Sequence, residues 1–287
     1  MNIPTIGEEL LTQAQGIIRR ALVEDIGDGD VTTRWTVPAE ARLTGQFIAK
    51  ESGIMAGLEV ARLTFSSVDD RVQFTTHAAD GDRVAAGQIV ATVRGPGQAL
   101  LSGERVALNF LQRMSGIATL TRRFVEAVSR TSAVILDTRK TAPGLRPLDK
   151  WAVRLGGGQN HRFGLYDMVL IKENHITAAG SITQAVARVR AGDAARRPIE
   201  VEVKNLAELQ EILALQVDRI LLDNMSLHDM RAAVQVAEGR VPLEASGNIS
   251  LQNVADVAAT GVDYISVGQL THSVRALDIS LLLDGVV

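Results

Sequence analysis

The spacing of apolar and polar positions changes along the first 130 residues of this chain. Residues 7–25 place apolar side chains three or four positions apart, which predicts an amphipathic helix. Residues 43–50 and 72–93 alternate between apolar and polar, which predicts strands. Helical spacing returns over residues 102–130, with an expected break at Ser115–Gly116. The first part of the chain is therefore predicted to combine helices with a sheet.

After residue 130 the pattern becomes a series of short apolar runs that each end in polar residues, with helix-like segments between them. The ends of the six runs lie at Lys140, Lys172, Glu202, Asp223, Ser246 and Gly268. Strands that alternate with helices predict a parallel sheet covered on both faces. Six chemically active strand ends favour a barrel around one central site, because a doubly wound sheet binds its ligand at a single switch point.

The segments between these runs carry signals for the beginnings of helices. Ser181 and Asn205 each precede a Glu or Gln by three positions, which is the capping-box pattern. Ser226 and Ser250 are also suitable caps for the helices that follow them. The sequence thus predicts where four of the barrel helices begin.

Composition narrows the class of protein. The chain has 287 residues, of which 46% are hydrophobic and 22% charged, as in an ordinary globular protein. It has no cysteine, which excludes disulfides, thiolate metal sites and a cysteine nucleophile. No apolar run approaches the ~18 residues of a membrane span, and the first residues lack the basic region of a secretory signal. We therefore expect a cytoplasmic protein that does not bind membranes.

The distribution of charge is more informative than its sum. The net charge of −3 argues against a nucleic-acid partner. Residues 105–172, however, contain 12 Lys and Arg against 4 Asp and Glu, so the rest of the chain carries the negative excess. Most of these cations are arginines, which bind carboxylate and phosphate through two parallel hydrogen bonds. We interpret Arg122, Arg123 and Arg130 as a solvated helix face. We interpret Arg139, Lys140, Arg162 and Lys172 as part of an anion-binding region.

The strand ends suggest what kind of anion binds. Glu202 and Asp223 suit ribose hydroxyls or a magnesium ion with its waters. The loops 246–248 and 267–269 are short, contain glycine and precede the last helices, where barrels often bind phosphate. The combination predicts a phosphorylated sugar together with a second anionic group.

Each of these residues also has a purely structural interpretation. Asp223 is also in position to cap the next helix, and Glu202 to pair with a lysine. A lone histidine such as His161 is more often structural, although it lies in the glycine-rich, cationic segment 156–164. Glu200 has the same strand parity as Glu202 but lies deeper, so it is a weaker candidate.

Several segments of the chain carry specific motifs: ALVEDIGDGDVTT, ALLSGERVALNFLQRMSGIAT, TRKTAPGLRPLDKWAV, GGGQNHRFGLYDMVLIKENHI, EVEVKNLAEL, LLDN, EASGNIS and VDYISVGQLTHS. Together they resemble the quinolinate phosphoribosyltransferase family, whose members act with decarboxylation. The resemblance covers nearly the whole chain and is most specific over residues 138–176. Trp151 stands where a tyrosine is usual and Glu173 where an aspartate is usual, and neither change removes a group assigned to chemistry.

This resemblance implies a fold, an activity and an assembly. The fold is α/β: an incomplete parallel α/β barrel of about six strands, preceded by a mixed α/β sandwich, known as the type II phosphoribosyltransferase fold. The implied domains are 1–115, with the tail 271–287 packed against it, and 116–270. The implied reaction converts quinolinate and phosphoribosyl pyrophosphate, with Mg²⁺, to nicotinate mononucleotide, pyrophosphate and CO₂, a step of NAD biosynthesis. The implied assembly is a homodimer in which Arg105 completes the partner's site.

The resemblance also implies a role for each matching residue. The expected quinolinate-binding residues are Arg105, Arg139, His161, Arg162 and Lys172. Lys140 is expected near pyrophosphate and ribose, and Glu202 and Asp223 near the ribose hydroxyls and magnesium, the last reached through water. Thr138 is a further expected substrate-binding residue. Those expected near the 5′-phosphate are Ser246, Gly247, Asn248, Val267, Gly268, Gln269 and His272. Among all of these, Lys140, Lys172, Glu202 and Asp223 are the expected catalytic residues.

Three alternatives remain open from the sequence. A barrel of the aldolase type with Lys140 or Lys172 as a Schiff base explains one lysine but leaves the arginines without a role. A nicotinate phosphoribosyltransferase without decarboxylation needs fewer cations, because its substrate has one carboxylate. A non-catalytic protein that binds phosphosugars is the third.

Overall fold

The computed structural model describes residues 7–284, which form two compact units. Residues 7–122, 141–157 and 273–284 make up the first unit. Residues 123–140 and 158–272 make up the second. No helix within residues 7–284 combines the length and the apolar character that a bilayer crossing requires.

The described part of the first unit contains five helices and six strands. Its helices are α1 (Glu8–Ile26), α2 (Val31–Thr36), α3 (Leu58–Val68), α4 (Gly97–Ala127), which continues past Arg122, and α5 (Arg146–Leu155). Its strands are β1 (Arg42–Ala49), β2 (Gly53–Ile54), β3 (Gln73–Thr76), β4 (Arg83–Val84), β5 (Ile89–Pro96) and β12 (Ile279–Asp284). Four of them form an antiparallel sheet in the order β12-β1-β5-β3, and β2 pairs with β4 in a separate ribbon. This mixed arrangement confirms the predicted N-terminal architecture.

The core of the first unit lies between the sheet and its helices. Phe47 on β1 and Phe65 on α3 are fully buried, and their rings meet edge to face with centroids 6.0 Å apart. Phe74 on β3 packs against both rings. Aromatic pairs in this geometry add to the free energy gained by burying their area.

The C-terminal segment joins this sheet although it lies far away in sequence. β12 pairs antiparallel with β1, with Phe47 opposite Leu281. The resemblance predicted a tail over residues 271–287, of which residues 285–287 lie outside the described part of the chain. The predicted division between residues 115 and 116 falls inside α4, and residues 141–157 pack with the first unit.

The expected helix break at Ser115–Gly116 is wrong, because α4 continues from Gly97 to Ala127 without interruption. Ser115 is fully buried, and its hydroxyl accepts the amide of Ala56 and donates to the carbonyl of the same residue. At Gly116 a Cβ would lie 2.2 Å from the carbonyl oxygen of Arg275. These small residues allow close packing of other segments against the helix.

The second unit contains a six-stranded parallel sheet in the order β6-β11-β10-β9-β8-β7. Its strands are β6 (Val134–Leu136), β7 (Val169–Ile171), β8 (Ile199–Val203), β9 (Arg219–Asp223), β10 (Leu243–Ser246) and β11 (Tyr264–Ser266). Its helices are α6 (Glu173–Ala179), α7 (Ile182–Gly192), α8 (Leu206–Leu213), α9 (Leu227–Ala237), α10 (Val254–Ala258) and α11 (Gln269–His272).

The pairing order explains why this barrel is incomplete. β6 pairs only with β11 and β7 pairs only with β8, so these two strands are the edges of the sheet. They are consecutive in the chain but do not pair with each other, which leaves the barrel open between them. All six predicted strands are present. Together with the sheet of the first unit, they confirm the predicted fold class.

Three of the four predicted helix caps are confirmed. Ser181, Asn205 and Ser226 each accept the backbone N–H of the residue three positions later. Ser250 is not a cap, because α10 begins only at Val254. Asn253 precedes that helix, and its side chain instead accepts the backbone N–H of Ser250.

Gly116→Ala is expected to lower the free energy of unfolding by about 1–3 kcal/mol, because the added methyl group overlaps the backbone at Arg275. Gly16→Ala is the matched control, since Gly16 also lies inside a helix and a Cβ there meets only the end of the Arg20 side chain, at 3.8 Å. The control should raise stability by about 0.5–1 kcal/mol. Urea denaturation measures both, and equal effects of the two variants would contradict the close packing at Gly116.

Candidate active site

The carboxyl ends of the six strands form one rim of the second unit. The register places Ser246 opposite Asp223 and Glu202 beside Leu221, two residue pairs below that level. Lys172 directly follows β7, and Lys140 follows β6 after a three-residue turn. The predicted strand-end residues therefore lie at one edge of one sheet.

Lys172 is held by the beginning of α6 and by the neighbouring strand. Its backbone N–H donates to Nδ1 of His175 over 2.9 Å, which fixes the helix start. Its ammonium group lies 2.7 Å from Oε2 of Glu202. The lysine side chain is half exposed whereas that of Glu202 is nearly buried, so the cation faces the open side of the rim.

The backbone of Lys140 is held by one residue that is near it in the sequence and one that is far from it. The hydroxyl of Thr138 accepts the backbone N–H of Lys140 over 3.0 Å, and the hydroxyl of Thr271 donates to its carbonyl over 2.9 Å. A Cβ on Gly268 would lie 3.2 Å from the Lys140 side chain and 3.1 Å from the ring of His272. The predicted residues Thr138, Lys140, Gly268 and His272 therefore lie together.

The loop that carries His161 and Arg162 is anchored to the end of β6. Buried Asp137 accepts the side-chain amide of Asn160 over 2.5 Å and the backbone N–H of His161 over 2.9 Å. Gln159 adds a parallel bridge to Leu136. The glycine-rich segment is thus attached to the site through one carboxylate.

Arg162 lies among other charges of the rim. Its guanidinium donates to the carbonyl of Met168 over 3.2 Å. Burial lowers the pKa of Arg162, and the positive charge of Arg139 lowers it further. Two neighbouring guanidinium groups repel each other, and a bound anion removes that repulsion. The Arg139–Arg162 pair is therefore suited to a ligand with negative charge.

His161 connects this loop to carboxylates in the barrel interior. Its Nδ1 accepts the backbone N–H of Arg162 over 2.7 Å, so Nε2 carries the ring proton. Nε2 lies 3.0 Å from Glu200 and 3.5 Å from Glu244, both of which are fully buried. In this structure both ring nitrogens of His161 therefore face groups of the protein.

Arg219 compensates part of the buried negative charge. Its Nη1 lies 2.9 Å from Oε2 of Glu244, and its guanidinium carbon lies 4.1 Å from the centre of the Tyr264 ring. Burial raises the pKa of Glu200. Burial and the neighbouring Glu200 raise the pKa of Glu244 to about 7. The interior below the rim thus holds two carboxylates whose negative charge Arg219 compensates in part.

The described residues contain one cluster with three metal-type ligands, formed by His161, Glu200 and Glu244. Arg219 already supplies positive charge there, so we do not interpret it as a metal centre. Glu202 and Asp223 are oxygen donors on adjacent strands at the rim, where Asp223 is partly exposed. Magnesium typically binds proteins through one or two carboxylates and keeps several waters, so this pair fits Mg²⁺.

The loop after β10 contacts the end of β9. Asn224 accepts the side-chain amide of Asn248 over 3.0 Å and donates to Asp223 over 3.0 Å. Gly247 lies between them with φ +98°. The predicted phosphate loop and the predicted ribose carboxylate are therefore linked by one side chain.

Comparison with known proteins gives two matches that together span most of the chain. Residues 30–115 match the quinolinate phosphoribosyl transferase N-terminal domain, and residues 117–282 match the C-terminal domain of the same family. The chain belongs to the quinolinate phosphoribosyl transferase family. The resemblance found in the sequence is confirmed.

Individual relatives agree with the family assignment. A Mycobacterium leprae protein named nicotinate-nucleotide pyrophosphorylase [carboxylating] is 49% identical, over 93% of this chain and 96% of its own. A Bacillus subtilis protein with the same name, marked probable, is 44% identical over 94% and 93%. The crystal structure of NadC from Streptococcus pyogenes has a TM-score of 0.94 at 40% identity, covering 98% of this chain and 99% of its own.

Sequence reasoning missed four residues that the structure places in or directly beneath this candidate site: Asp137, Arg219, Asn224 and Glu244. Glu244 lies two positions before Ser246, so strand alternation places it on the same face and one layer deeper. That signal was available, whereas the partners of Asp137 and Asn224 depend on contacts between distant segments. Arg105 lies exposed on α4 in the first unit, outside the barrel strands.

Glu244→Gln is expected to change the pH dependence of stability. The folded-state pKa of Glu244 is about 7 against an ordinary value of 4.5. Its contribution to the free energy of unfolding is therefore complete below pH 4.5 and is lost as the pH rises through 7. Glutamine carries no charge, so the variant should lose less stability than the wild type between pH 5 and 8, by roughly 3 kcal/mol.

Urea denaturation at a series of pH values measures this difference. Glu238→Gln is the control, because Glu238 is exposed at the end of α9. Identical pH dependence in the wild type and Glu244→Gln would show that Glu244 is not the titrating group.

Proposed function

We propose that this chain transfers the phosphoribosyl group of phosphoribosyl pyrophosphate to quinolinate, with release of pyrophosphate and CO₂ and formation of nicotinate mononucleotide. The observation that carries the proposal is the rim of the second unit. There a group of cations, which includes neighbouring Arg139 and Arg162, lies on the same sheet edge as the carboxylates Glu202 and Asp223. This combination suits an acidic acceptor and a phosphorylated sugar in one site.

The acceptor has two carboxylates on adjacent ring carbons. Arg139, Arg162 and Lys172 bind them, with His161 as part of the same wall. The lowered pKa of Arg162 reflects the cost of burying it near Arg139, and a dianion offsets that cost. On binding, Lys172 exchanges part of its contact with Glu202 for a substrate carboxylate.

The sugar end of the donor lies over the later strands. Glu202 and Asp223 bind ribose hydroxyls and the waters of Mg²⁺, which neutralises pyrophosphate charge when it is bound. Lys140, supported by Thr138, contacts the pyrophosphate. The loops 246–248 and 267–269 bind the 5′-phosphate through backbone N–H groups, and His272 lies beside Gly268 in the second of these.

Catalysis in this site is mainly positioning and electrostatic stabilisation. The ring nitrogen of quinolinate attacks the anomeric carbon as pyrophosphate leaves, through a state with positive charge on the sugar that Glu202 and Asp223 stabilise. The resulting pyridinium accepts the electron pair released when the adjacent carboxylate leaves as CO₂, and that carbon then takes up a proton. Lys140 stabilises the leaving group, and Lys172 holds the acceptor ring in place.

The active assembly is a homodimer in which Arg105 of each subunit enters the site of the other. Arg105 is exposed on α4, belongs to the cationic segment 105–172 and is carried by the family motif around it. A two-fold interface delivers this residue to both sites through one repeated contact. The protein is expected to act in the cytoplasm, although some of its plant relatives are named as mitochondrial.

The test of the activity is CO₂ release from carboxyl-labelled quinolinate, which should require both phosphoribosyl pyrophosphate and Mg²⁺. Nicotinate lacks one carboxylate and leaves desolvated cations without a partner, so its kcat/KM should be lower by about a hundredfold or more. Comparable use of the two acids would favour the enzyme that does not decarboxylate.

Chelation supplies the control for the role of the metal. EDTA should abolish turnover reversibly and leave the circular dichroism spectrum unchanged, because magnesium is held here with the substrate and not as part of the fold. Loss of structure on chelation would contradict this assignment.

The shared site is tested with Arg105→Ala and Lys172→Ala, each expected to be nearly inactive alone. When the two are unfolded together and refolded, each heterodimer regains one intact site, since one barrel keeps its lysine and receives the arginine of its neighbour. About half of the dimers are mixed and one site in each is intact, so about a quarter of wild-type activity should return.

Mass spectrometry under native conditions confirms that heterodimers have formed. If they form and activity stays at the level of the separate variants, Arg105 acts within its own chain or not at all.

A further inference from the structure

Asn224 holds an unusual position at the end of β9, between the two parts of the rim proposed to bind the donor. Its backbone is left-handed, with φ +52°, and its side chain is exposed at the rim. The preceding residue, Asp223, is a proposed ribose-binding carboxylate. The backbone N–H of Asn224 donates to the carbonyl of Ser246, where the proposed phosphate loop begins, over 2.9 Å.

The side-chain amide of Asn224 bonds to both parts. Its Nδ2 donates to Oδ2 of Asp223 over 3.0 Å, and its Oδ1 accepts Nδ2 of Asn248 over 3.0 Å. The amide has only one consistent orientation, because the carboxylate of Asp223 accepts but does not donate. Neither aspartate nor alanine at this position makes both bonds.

The phosphate loop is also packed directly on this side chain. A Cβ on Gly247 would lie 2.2 Å from Oδ1 of Asn224, so the loop backbone approaches as closely as glycine allows. Asn248 is itself left-handed, with φ +53°, and its carbonyl accepts the side-chain amide of Asn253 over 2.9 Å. The conformation of the loop is therefore fixed by asparagine side chains from two directions.

We propose that Asn224 is a positioning residue that sets the distance between the ribose carboxylate Asp223 and the 5′-phosphate loop 246–248, and thereby determines affinity for phosphoribosyl pyrophosphate. This inference rests on the proposed function. A ribose 5-phosphate unit has a fixed span between its hydroxyls and its phosphate, so both ends bind well only when the two protein groups keep the matching separation. Asn224 touches both groups and is placed to act through them.

Asn224→Gly tests the side chain alone, because glycine adopts the left-handed backbone without strain. It should raise KM for phosphoribosyl pyrophosphate about tenfold, the effect expected when two exposed hydrogen bonds are lost. KM for quinolinate should change by less than about twofold, since the acceptor binds other strand ends. Glu238→Gly is the matched control, because Glu238 has φ +50° and lies outside the site, so it should leave all constants unchanged.

A double-mutant cycle tests whether Asn224 acts through the loop. Asn248→Gly also preserves its backbone and removes the partner of Oδ1. If the two residues act through their mutual bond, the double variant should be less impaired than the product of the single effects. Effects that multiply fully would overturn the proposed link to the phosphate loop.

Binding of ribose 5-phosphate by calorimetry separates this inference from the proposed function. Asn224→Gly should weaken this binding about tenfold, whatever the acceptor. If the wild type converts quinolinate and the variant keeps its affinity for ribose 5-phosphate and its donor KM, the inference alone fails. If the wild type is inactive with quinolinate, the proposed function fails, and the calorimetry still decides the role of Asn224.

A purely structural role predicts a different result. In that case the melting temperature would fall and both KM values would rise together, which would overturn the inference. Should Asn224→Gly not fold, Asn224→Asp keeps the bond to Asn248 and breaks the one to Asp223. Its donor KM, with quinolinate KM as the internal reference, then gives the same decision.

Discussion

The barrel of the second unit buries charged side chains beneath the candidate site and places opposite charges beside one another there. Glu200 and Glu244 lie fully buried, close to His161, and Arg219 pairs with Glu244 from below. Removing one member of such a group leaves an uncompensated charge in a medium where charge is costly. The position of the His161–Arg162 segment, and with it the cationic wall of the rim, depends on this arrangement of charges.

Much of the fold was predictable from local pattern. The six parallel strands were visible because each is a short apolar run with a polar end, and their helices begin at side chains that cap locally, such as Ser181 and Asn205. The rim followed from these, because parallel strands place their carboxyl ends together. The family resemblance then supplied roles that spacing alone left open.

What the sequence did not reveal depends on contacts between distant segments. Ser115 and Gly116 look like a helix break, yet they permit close packing with Ala56 and Arg275. α10 begins after Asn253 and not after Ser250, and the Asn253 side chain accepts the backbone N–H of Ser250 from the preceding loop. In the site, the roles of Asp137 and Asn224 come from partners more than 20 residues away, which no local signal encodes.

The unpaired edges of the barrel have a mechanical consequence. Because β6 and β7 each pair on only one side within the sheet, the barrel resembles a split ring whose gap is spanned by the bridge between Leu136 and Gln159 and by the loop that follows it. A closed barrel widens only by breaking a ladder of backbone hydrogen bonds, whereas a split one opens at its gap and keeps every ladder intact. The segment that carries Arg162 begins at this gap, shortly after the residue that is bonded to β6, so the cationic side of the rim is attached to an edge of the sheet and not to its middle.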